Sequence, residues 1–332
     1  MIDPLIVVRG IHLTATALVA GAVFFAYLIA EPAWRRSGGA QALIIRLRSQ
    51  IAWLRWAALV VAIISGGGWL VVLAAEIADK SVGDVISDKT VWILLTETQF
   101  GFVWQLRLVL AALLANICLL GRLAAAQQSD LQGILAVIVA AAFAGALAWA
   151  GHGGSTPGRG DLHVAADVLH LIAAAAWLGG LVPLVLLLGQ QPPGAHEGWT
   201  IFVGHAIRRF STLGIVSVSV LIVSGLINAW FLVGDTQALI ASDYGRCLLL
   251  KLAMFGVMVG LAAVNRFGLM PYLQGTAAGL KMDKVTIGRI RRNALVEIAL
   301  GVAIFGVVAV LGTMPPSAEE SLMQMDHHMH SD

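Results

Sequence analysis

The sequence predicts an all-α polytopic membrane protein with eight transmembrane helices, arranged as two four-helix repeats of the same orientation. Hydrophobic residues make up 59% of the 332 residues and charged residues only 12%, about half the charged fraction of a typical soluble protein. The apolar residues come in runs of about 20, which is the length that crosses a ~30 Å hydrocarbon core as a helix. Polar landmarks also recur in register between the two halves of the chain.

Eight runs have the length and apolar character of a membrane-spanning helix. They cover approximately residues 5–30, 52–76, 99–121, 131–151, 162–188, 211–233, 246–268 and 293–313. The first run has no basic segment before it and no clear cleavage site, so we predict a retained membrane helix and not a signal peptide. The sequence lacks the basic cluster interleaved with aromatic residues that would indicate nucleic-acid binding. The apolar runs predict that the chain is surrounded by lipid.

Lysine and arginine residues collect in alternate loops, and this sets the predicted orientation. The loop after the first run and the loops before the sixth and eighth runs are basic, with Arg35, Arg36, Arg46, Arg48, Arg55, Arg208, Arg209, Lys281, Lys284, Arg289, Arg291 and Arg292. The loops between them carry acidic residues instead. By the positive-inside rule the basic loops are cytoplasmic. Both termini are therefore predicted on the outer side of the membrane.

The two halves of the chain share polar landmarks at matching spacings. The matched pairs are His12 with His170, Gly21 with Gly179, Ser65 with Ser224, Gly66 with Gly225, Arg107 with Lys251, and Arg122 with Arg266. Because four spans per half is an even number, the halves share one orientation, and the predicted pseudo-two-fold axis follows the membrane normal. The predicted units are a first repeat at 1–155, a second repeat at 156–316, and a periplasmic Met/His-rich tail at 317–332.

Ionisable residues gather at the outer end of the fifth run. His163, Asp167 and His170 are spaced i, i+4 and i+7, so a helix places them on one face. Such groups inside an apolar span are costly to desolvate and mark a pathway, relay or ligand site. Neutral imidazole suits copper and zinc, so the predicted ligands of an outer metal site are His12, His152, His163, His170 and Asp167. The alternative is that these histidines hydrogen-bond carbonyl groups or lie among lipid headgroups.

Three basic residues are predicted as charge partners of this site. Arg9 precedes His12 by three residues, as Asp167 precedes its own histidine in the fifth run. If the repeats face each other, the two histidines approach one central site and Arg9 neutralises Asp167; the alternative is that Arg9 reaches outward to the headgroups. The matched residues Arg107 and Lys251 are predicted to pair with Asp167 or to line a polar cavity.

Sulfur-containing residues give further candidates. Thioethers select Cu(I) and imidazole accepts either copper state, so a disordered copper-collecting tail is predicted with the ligands Met314, Met323, Met325, His327, His328, Met329 and His330. Met254 and Met258, one turn apart in the seventh run, could relay Cu(I) inward or simply fill apolar packing. The two cysteines, Cys118 and Cys247, are predicted near opposite membrane faces without a disulfide bond.

These polar residues resemble those of the copper resistance protein D family of bacterial inner-membrane proteins. The similarity covers nearly all of the chain except the cytoplasmic loops and the tail. It runs through Arg9-Gly-Ile-His12-Leu, Asp167-Val-Leu-His170-Leu, Ala176-Trp177-Leu-Gly-Gly180, Arg209-Phe-Ser-Thr-Leu-Gly, Val223-Ser-Gly-Leu-Ile-Asn228-Ala-Trp230, Tyr244-Gly245, Lys251 and Asn265-Arg266. The resemblance implies copper handling at the bacterial inner membrane, beside a periplasmic copper-binding partner of the CopC type.

The sequence contains no Walker loop, dinucleotide fingerprint, CxxC motif or nucleophile elbow. We therefore predict a protein that is not an enzyme, with any transport driven by a gradient or a partner. Together with the outer His/Asp site between the repeats, the resemblance implies uptake of copper from the periplasm. One alternative is a haem b electron-transfer protein, an oxidoreductase, with His12 and His170 as the axial ligands. Another is a copper-loading dock that does not transport.

Overall fold

The structure is a computed structural model that describes residues 3–36, 41–123, 130–150, 161–190, 197–233, 236–273 and 284–315. Regular structure in these ranges is helical and includes no strand. Eight helices are long and apolar enough to cross a membrane, which confirms the predicted fold class. In chain order, spans one to eight are Pro4–Trp34, Gln41–Ala78, Gln99–Leu120, Asp130–Ala150, Asp161–Gly189, Gly198–Leu232, Asp243–Leu269 and Lys284–Leu311.

Three spans begin earlier than the sequence predicts. Spans two, six and eight start at residues 41, 198 and 284, about ten residues before the predicted runs. The added turns carry arginines that were expected in loops, because hydropathy detects only the part of a helix inside the bilayer while arginine itself favours helix. Three short helices, Val82–Ser87, Thr90–Glu97 and Thr236–Ala241, lie in the connections at the opposite end.

Side-chain caps set the beginning of spans one and seven. Asp3 accepts a hydrogen bond from the backbone nitrogen of Leu5 at 2.8 Å, and Pro4 occupies the first helical position of span one, where no amide donor is needed. Ser242 caps span seven in the same way, with its Oγ 3.0 Å from the backbone nitrogen of Gly245. Local sequence therefore determines where these helices start.

Spans one and five form the centre of the bundle, where they cross at matched glycines. A Cβ atom added to Gly21 would overlap the backbone of Gly179, and one added to Gly179 would overlap the carbonyl of Ala17. Small residues allow two membrane helices to approach this closely, since packing and not the hydrophobic effect holds them together in lipid. Neither position accepts a larger residue without separation of the two helices.

The remaining spans surround this crossing in two corresponding sets. Span one packs against spans two and four, and span five packs against spans six and eight. Span three packs against span four as span seven packs against span eight. This correspondence supports the predicted four-helix repeat, which stays a prediction.

Both central spans contain a π-helical segment, Phe25–Ala30 in span one and Ala175–Gly179 in span five. Downstream of the first segment, Pro32 has no amide hydrogen to donate to the carbonyl of Leu28. The Nε of Arg209 in span six donates to that carbonyl at 2.8 Å. A charged side chain thus satisfies the backbone acceptor that the proline leaves free, inside a region where water is scarce.

The two cysteines are both free. Cys118 is buried in the apolar core of the first four spans, and Cys247 packs beside Tyr244 and Leu311. Their separation into two different clusters agrees with the prediction that they form no disulfide.

Candidate metal-binding site

His12 is enclosed between spans one, two and three, with 1% of its surface exposed. Its Nδ1 lies 3.0 Å from the carbonyl oxygen of Ala62 and 3.2 Å from the Oγ of Ser65. Ser65 donates its own hydroxyl hydrogen to the carbonyl of Val61 at 2.6 Å, so towards His12 it can only accept a hydrogen bond. The imidazole proton is therefore on Nδ1. Nε2 accepts a hydrogen bond from Arg107 Nη2 at 2.9 Å. Both ring nitrogens are therefore occupied, and no lone pair is left for a metal ion.

Arg107 is as fully enclosed as His12, with 1% exposed. It donates to Thr16 Oγ1 at 3.0 Å and to the carbonyl of Phe143, and its guanidinium carbon lies 4.3 Å from the Phe143 ring centroid. Within the part of the chain that the structure describes, no carboxylate forms an ion pair with it. The predicted pairing of Arg107 with Asp167 is therefore not found, because Arg107 uses its donors on His12 and neighbouring groups.

Two tryptophans close the space around His12. The ring centroids of Trp104 and Trp69 lie 4.9 Å and 5.7 Å from the His12 centroid, both edge-on. Gly66 makes this possible, since a Cβ atom there would overlap the Trp104 ring. His12 is thus enclosed by aromatic rings and hydrogen-bonded at both ring nitrogens.

His170 makes the matched contact in the second half but keeps one nitrogen free. Its Nδ1 lies 3.0 Å from the Oγ of Ser224, whose hydroxyl donates to the carbonyl of Val220 at 2.6 Å. Ser224 therefore accepts from His170, and the proton is on Nδ1. Among the described residues, no group hydrogen-bonds to Nε2, and the side chain is only partly buried. A neutral imidazole fixed in this tautomer presents the lone pair that metals bind.

The predicted stripe on span five is present and faces span six. Three contacts join the two spans: His163 with Phe231 (ring centroids 5.1 Å apart), Asp167 with Asn228 (Nδ2 donating to Oδ1 at 3.2 Å), and His170 with Ser224. The partners descend along span six as the stripe ascends along span five, as two antiparallel helices require. The spacing i, i+4 and i+7 was therefore a correct guide to which residues share a face.

The stripe does not form a single metal site. Seven residues rise about 10.5 Å along a helix, whereas a metal–imidazole bond is about 2.0–2.1 Å, so one ion cannot contact both His163 and His170. His163 is 2% exposed and packs against an aromatic ring. Over the described ranges, no three His, Cys, Asp or Glu side chains lie close enough to hold a metal ion. The pair that remains usable is His170 with Asp167, less than one turn apart.

The two matched histidines contact different helices: His12 contacts spans two and three, and His170 contacts span six. Nine residues separate His12 from Gly21, the glycine at the crossing with span five. Nine residues make about two and a half turns of α-helix, so His12 points away from the crossing and into its own half. This geometry does not support a cluster of His12 with His170, which stays a prediction.

Arg9 does not neutralise Asp167, which corrects another prediction. Its Nη1 donates to the carbonyl of Gly312 at 2.6 Å, at the end of span eight, and its guanidinium carbon lies 5.0 Å from a Trp69 ring centroid. A cation at a helix C-terminus is favourable because unpaired carbonyls point toward it. The charge that acts on Asp167 instead belongs to Lys251 of span seven.

A group of polar atoms without protein partners surrounds His170. The Oδ1 of Asn228 is buried and has no hydrogen-bond partner in the described ranges. No described residue hydrogen-bonds to the ammonium group of Lys251, although its charge acts on both Asp167 and His170. A carboxylate, a free imidazole nitrogen, an amide oxygen and an ammonium group thus lie in one partly buried region. His170 thus has its unused Nε2 within one helical turn of a carboxylate, in surroundings that contain two further polar groups.

The other predicted residues fall into three groups. His152 and the tail residues Met323, Met325, His327, His328, Met329 and His330 lie outside the described residues. Met314 packs against the Tyr244–Leu311 cluster and is partly buried. Met258 is fully buried in the core around spans five and eight, with Met254 at the edge of that core, so their role as a relay stays a prediction beside plain packing.

A polar network at the middle of span eight was not predicted from the sequence. Glu297 is 2% exposed, and its Oε1 accepts from Asn265 Nδ2 at 3.0 Å. Asn293 donates in turn to Asn265 Oδ1 at 2.8 Å. The π-helical segment Val264–Leu269 in span seven places Asn265 in this network, and no pattern in the sequence signals that local change of helix type.

Comparisons with known proteins give one family. The family model described as copper resistance protein D matches residues 204–311, and the model of the copper resistance protein D-like N-terminal domain matches residues 1–162. Copper resistance protein D of Pseudomonas syringae pv. tomato is 30% identical over 97% of this chain and 100% of its own length. The inner membrane protein YebZ of Escherichia coli (strain K12) is 28% identical over 94% of this chain and 98% of its own. The copper transport protein CutJ of Bacillus subtilis (strain 168) is 31% identical over 46% of this chain and 25% of its own. No solved structure matches the chain.

Proposed function

Because the chain belongs to the copper resistance protein D family, we propose that it binds copper and takes it up across the bacterial inner membrane. Eight apolar helices and an inner-membrane relative support a multi-pass protein of that membrane. The observation that carries the site assignment is the free Nε2 of His170 beside Asp167. His12, its matched counterpart, has both nitrogens hydrogen-bonded.

Copper is the cargo at this site, with His170 Nε2 as the first ligand and Asp167 as the second. Imidazole accepts either copper state, and the Ser224 hydroxyl holds the ring in the required tautomer and orientation. In the absence of copper, the ammonium of Lys251 compensates the charge of Asp167. An incoming copper ion would displace that ammonium, so the buried net charge changes little during loading.

The route inward is proposed from three features. The tail and the loop around His152 collect copper from the periplasm or from a CopC-like donor, in keeping with the predicted outward position of both termini. The glycine crossing of spans one and five is the pivot about which one half rocks against the other. Further along the second half lie Met254, Met258 and the buried Glu297 network. The thioethers provide soft copper ligands on the way inward, and the Glu297 network provides an anionic one.

The haem alternative has less support than copper. A bis-histidine haem needs two imidazole lone pairs on opposite faces of one iron. The Nε2 of His12 is occupied by Arg107, and His12 and His170 contact different helices. A copper-loading dock remains the second candidate, since the His170 site would serve it equally. Copper movement into sealed vesicles separates the two, because a dock binds copper without moving it.

Replacing Ser224 with alanine is expected to weaken copper binding by roughly 10–100-fold, the usual effect of losing the hydrogen-bonded partner of a metal-binding histidine. The variant leaves the His170 ring free to rotate and to change tautomer. The measurement is a copper titration against a competing chelator. Ser65→Ala is the matched control, since it removes the same hydroxyl beside His12, and equal losses in both variants would contradict the assignment.

Replacing Asp167 with asparagine is expected to lower copper affinity at least about tenfold, equivalent to about 1.4 kcal/mol. The amide preserves the size of the side chain but removes the charge that attracts copper and offsets Lys251. The same titration measures the change. Asp161→Asn, at the exposed start of the same span, serves as the control. Unchanged affinity in Asp167→Asn would exclude the carboxylate as a ligand.

A further inference from the structure

A cavity of about 1680 Å³ lies among spans one to four, at the end of the bundle where the basic residues collect. Cys118, near the end of span three, and Gly133, near the start of span four, both line it. The cavity therefore lies at the depth where a membrane changes from hydrocarbon to headgroups. Except for Phe202 of span six, the lining residues belong to the first half of the chain, and none of them is part of the His170 region.

Two of the three guanidinium groups that line this cavity have carboxylate partners. Arg48 donates to Glu31 through Nε at 2.9 Å and Nη2 at 2.6 Å, and its guanidinium carbon lies 3.6 Å from the ring centroid of Trp34. Arg35 pairs with Asp130 at 2.7 Å. Within each pair the arginine and the carboxylate neutralise each other. The third cation therefore gives the lining its net charge.

Arg55 is that third cation, and it is 9% exposed. In the part of the chain that the structure describes, no hydrogen bond or ion pair reaches it, and its Nε is buried without a partner. A buried guanidinium without an anion is costly because it loses hydration and gains nothing in return. An anion from outside the chain would provide the missing partner, and the planar fork of arginine favours phosphate or carboxylate.

The rim of the cavity is apolar and opens sideways. Trp53 of span two is 73% exposed, and Ile134 and Ile138 of span four are each 56% exposed. Large apolar side chains that are exposed on a membrane-spanning helix face lipid. The opening therefore joins a cationic interior to the hydrocarbon of the membrane, which matches an amphiphile and not a small soluble anion.

We propose that this cavity binds an anionic phospholipid of the leaflet on the basic side, with its phosphate at Arg55 and its acyl chains along the rim of spans two and four. Basic pockets between membrane helices at this depth recognise such headgroups. Both the headgroup and the first part of the chains fit a space of this size. The bound lipid holds spans two and four together at an end where Arg55 otherwise lacks a counter-ion.

The test is thermal unfolding of the delipidated full-length protein in detergent with added cardiolipin, phosphatidylglycerol, phosphatidylcholine or inorganic phosphate. We expect the two anionic lipids to raise Tm by a few degrees, as binding to the folded state requires, and the other two to have no effect. Arg55→Gln should lose the shift. Arg46→Gln is the matched control, because Arg46 is exposed on the same helix and does not line the cavity.

Several outcomes would overturn the proposal. Equal stabilisation by phosphatidylcholine would mean that the protein does not recognise the charge of the headgroup. Equal stabilisation by inorganic phosphate would assign the site to free phosphate. An undiminished shift in Arg55→Gln would place the lipid elsewhere. If Arg55→Gln does not fold, Arg55→Lys replaces it, with a weakened shift expected because lysine lacks the bidentate fork. Native mass spectrometry of the parent protein must also retain an anionic lipid, and its absence would contradict the proposal.

Discussion

His170→Ala is expected to remove one bound copper ion per chain while leaving the fold intact. The substitution costs the metal its first ligand, whereas the protein loses one hydrogen bond, from His170 Nδ1 to Ser224, and Ser224 keeps its own bond to Val220. His12→Ala is expected to give the opposite result. It leaves one buried N–H of Arg107 Nη2 without an acceptor, while Nη2 still donates to Thr16; an unmet buried donor costs about 1–3 kcal/mol, but the change removes no ligand and should spare copper binding.

Copper per chain after chelator competition and Tm, measured on both variants, check this pair of outcomes. The comparison is internally controlled, since the two histidines are matched in the sequence and each contacts a matched serine. Equal copper in His170→Ala and the parent protein would refute the site. A loss of copper in His12→Ala without a loss of stability would also refute the site.

Gly179→Ala is expected to destabilise the protein severely, whereas Gly260→Ala is expected to stabilise it slightly. A Cβ atom at Gly179 would overlap the carbonyl of Ala17, and an overpacked contact costs about 1–3 kcal/mol or more. Gly260 lies in the middle of span seven with nothing within 4 Å of an added Cβ atom. Alanine there gains the roughly 0.5–1 kcal/mol by which it favours helix over glycine.

The two glycine variants carry the identical substitution, so Tm shifts of opposite sign isolate the effect of the helix crossing. Gly21→Ala, on the other side of the contact, should resemble Gly179→Ala. Two variants with the same small shift would mean that spans one and five do not cross at these glycines. In that case the crossing could not serve as the pivot for transport.

The number and order of the spans, and the face of span five that carries the polar stripe, could be predicted from the sequence because they depend on local pattern. Runs of apolar residues predicted all eight spans, and the spacing of His163, Asp167 and His170 predicted their common face. The early starts of spans two, six and eight were missed, since hydropathy is blind to helix that continues beyond the bilayer. These are properties of one helix at a time.

The composition of the site was less accessible because it depends on how helices register against each other. Arg107 was predicted to pair with Asp167 or to line a polar cavity, yet span three places it against the neutral ring of His12. Nothing in the sequence sets that register. The nine-residue spacing of His12 and Gly21 places the two residues on opposite faces of span one, but only the structure shows that Gly21 lies at the crossing.

The most direct test of the account is radioactive copper uptake into sealed vesicles that contain the purified protein, comparing the parent chain with His170→Ala. We expect copper to accumulate inside vesicles with the parent protein, and His170→Ala to fall to the level of protein-free vesicles. Equal uptake by both proteins would contradict the His170 site. Copper bound by the parent protein without accumulation in the lumen would contradict transport and assign the protein to copper loading.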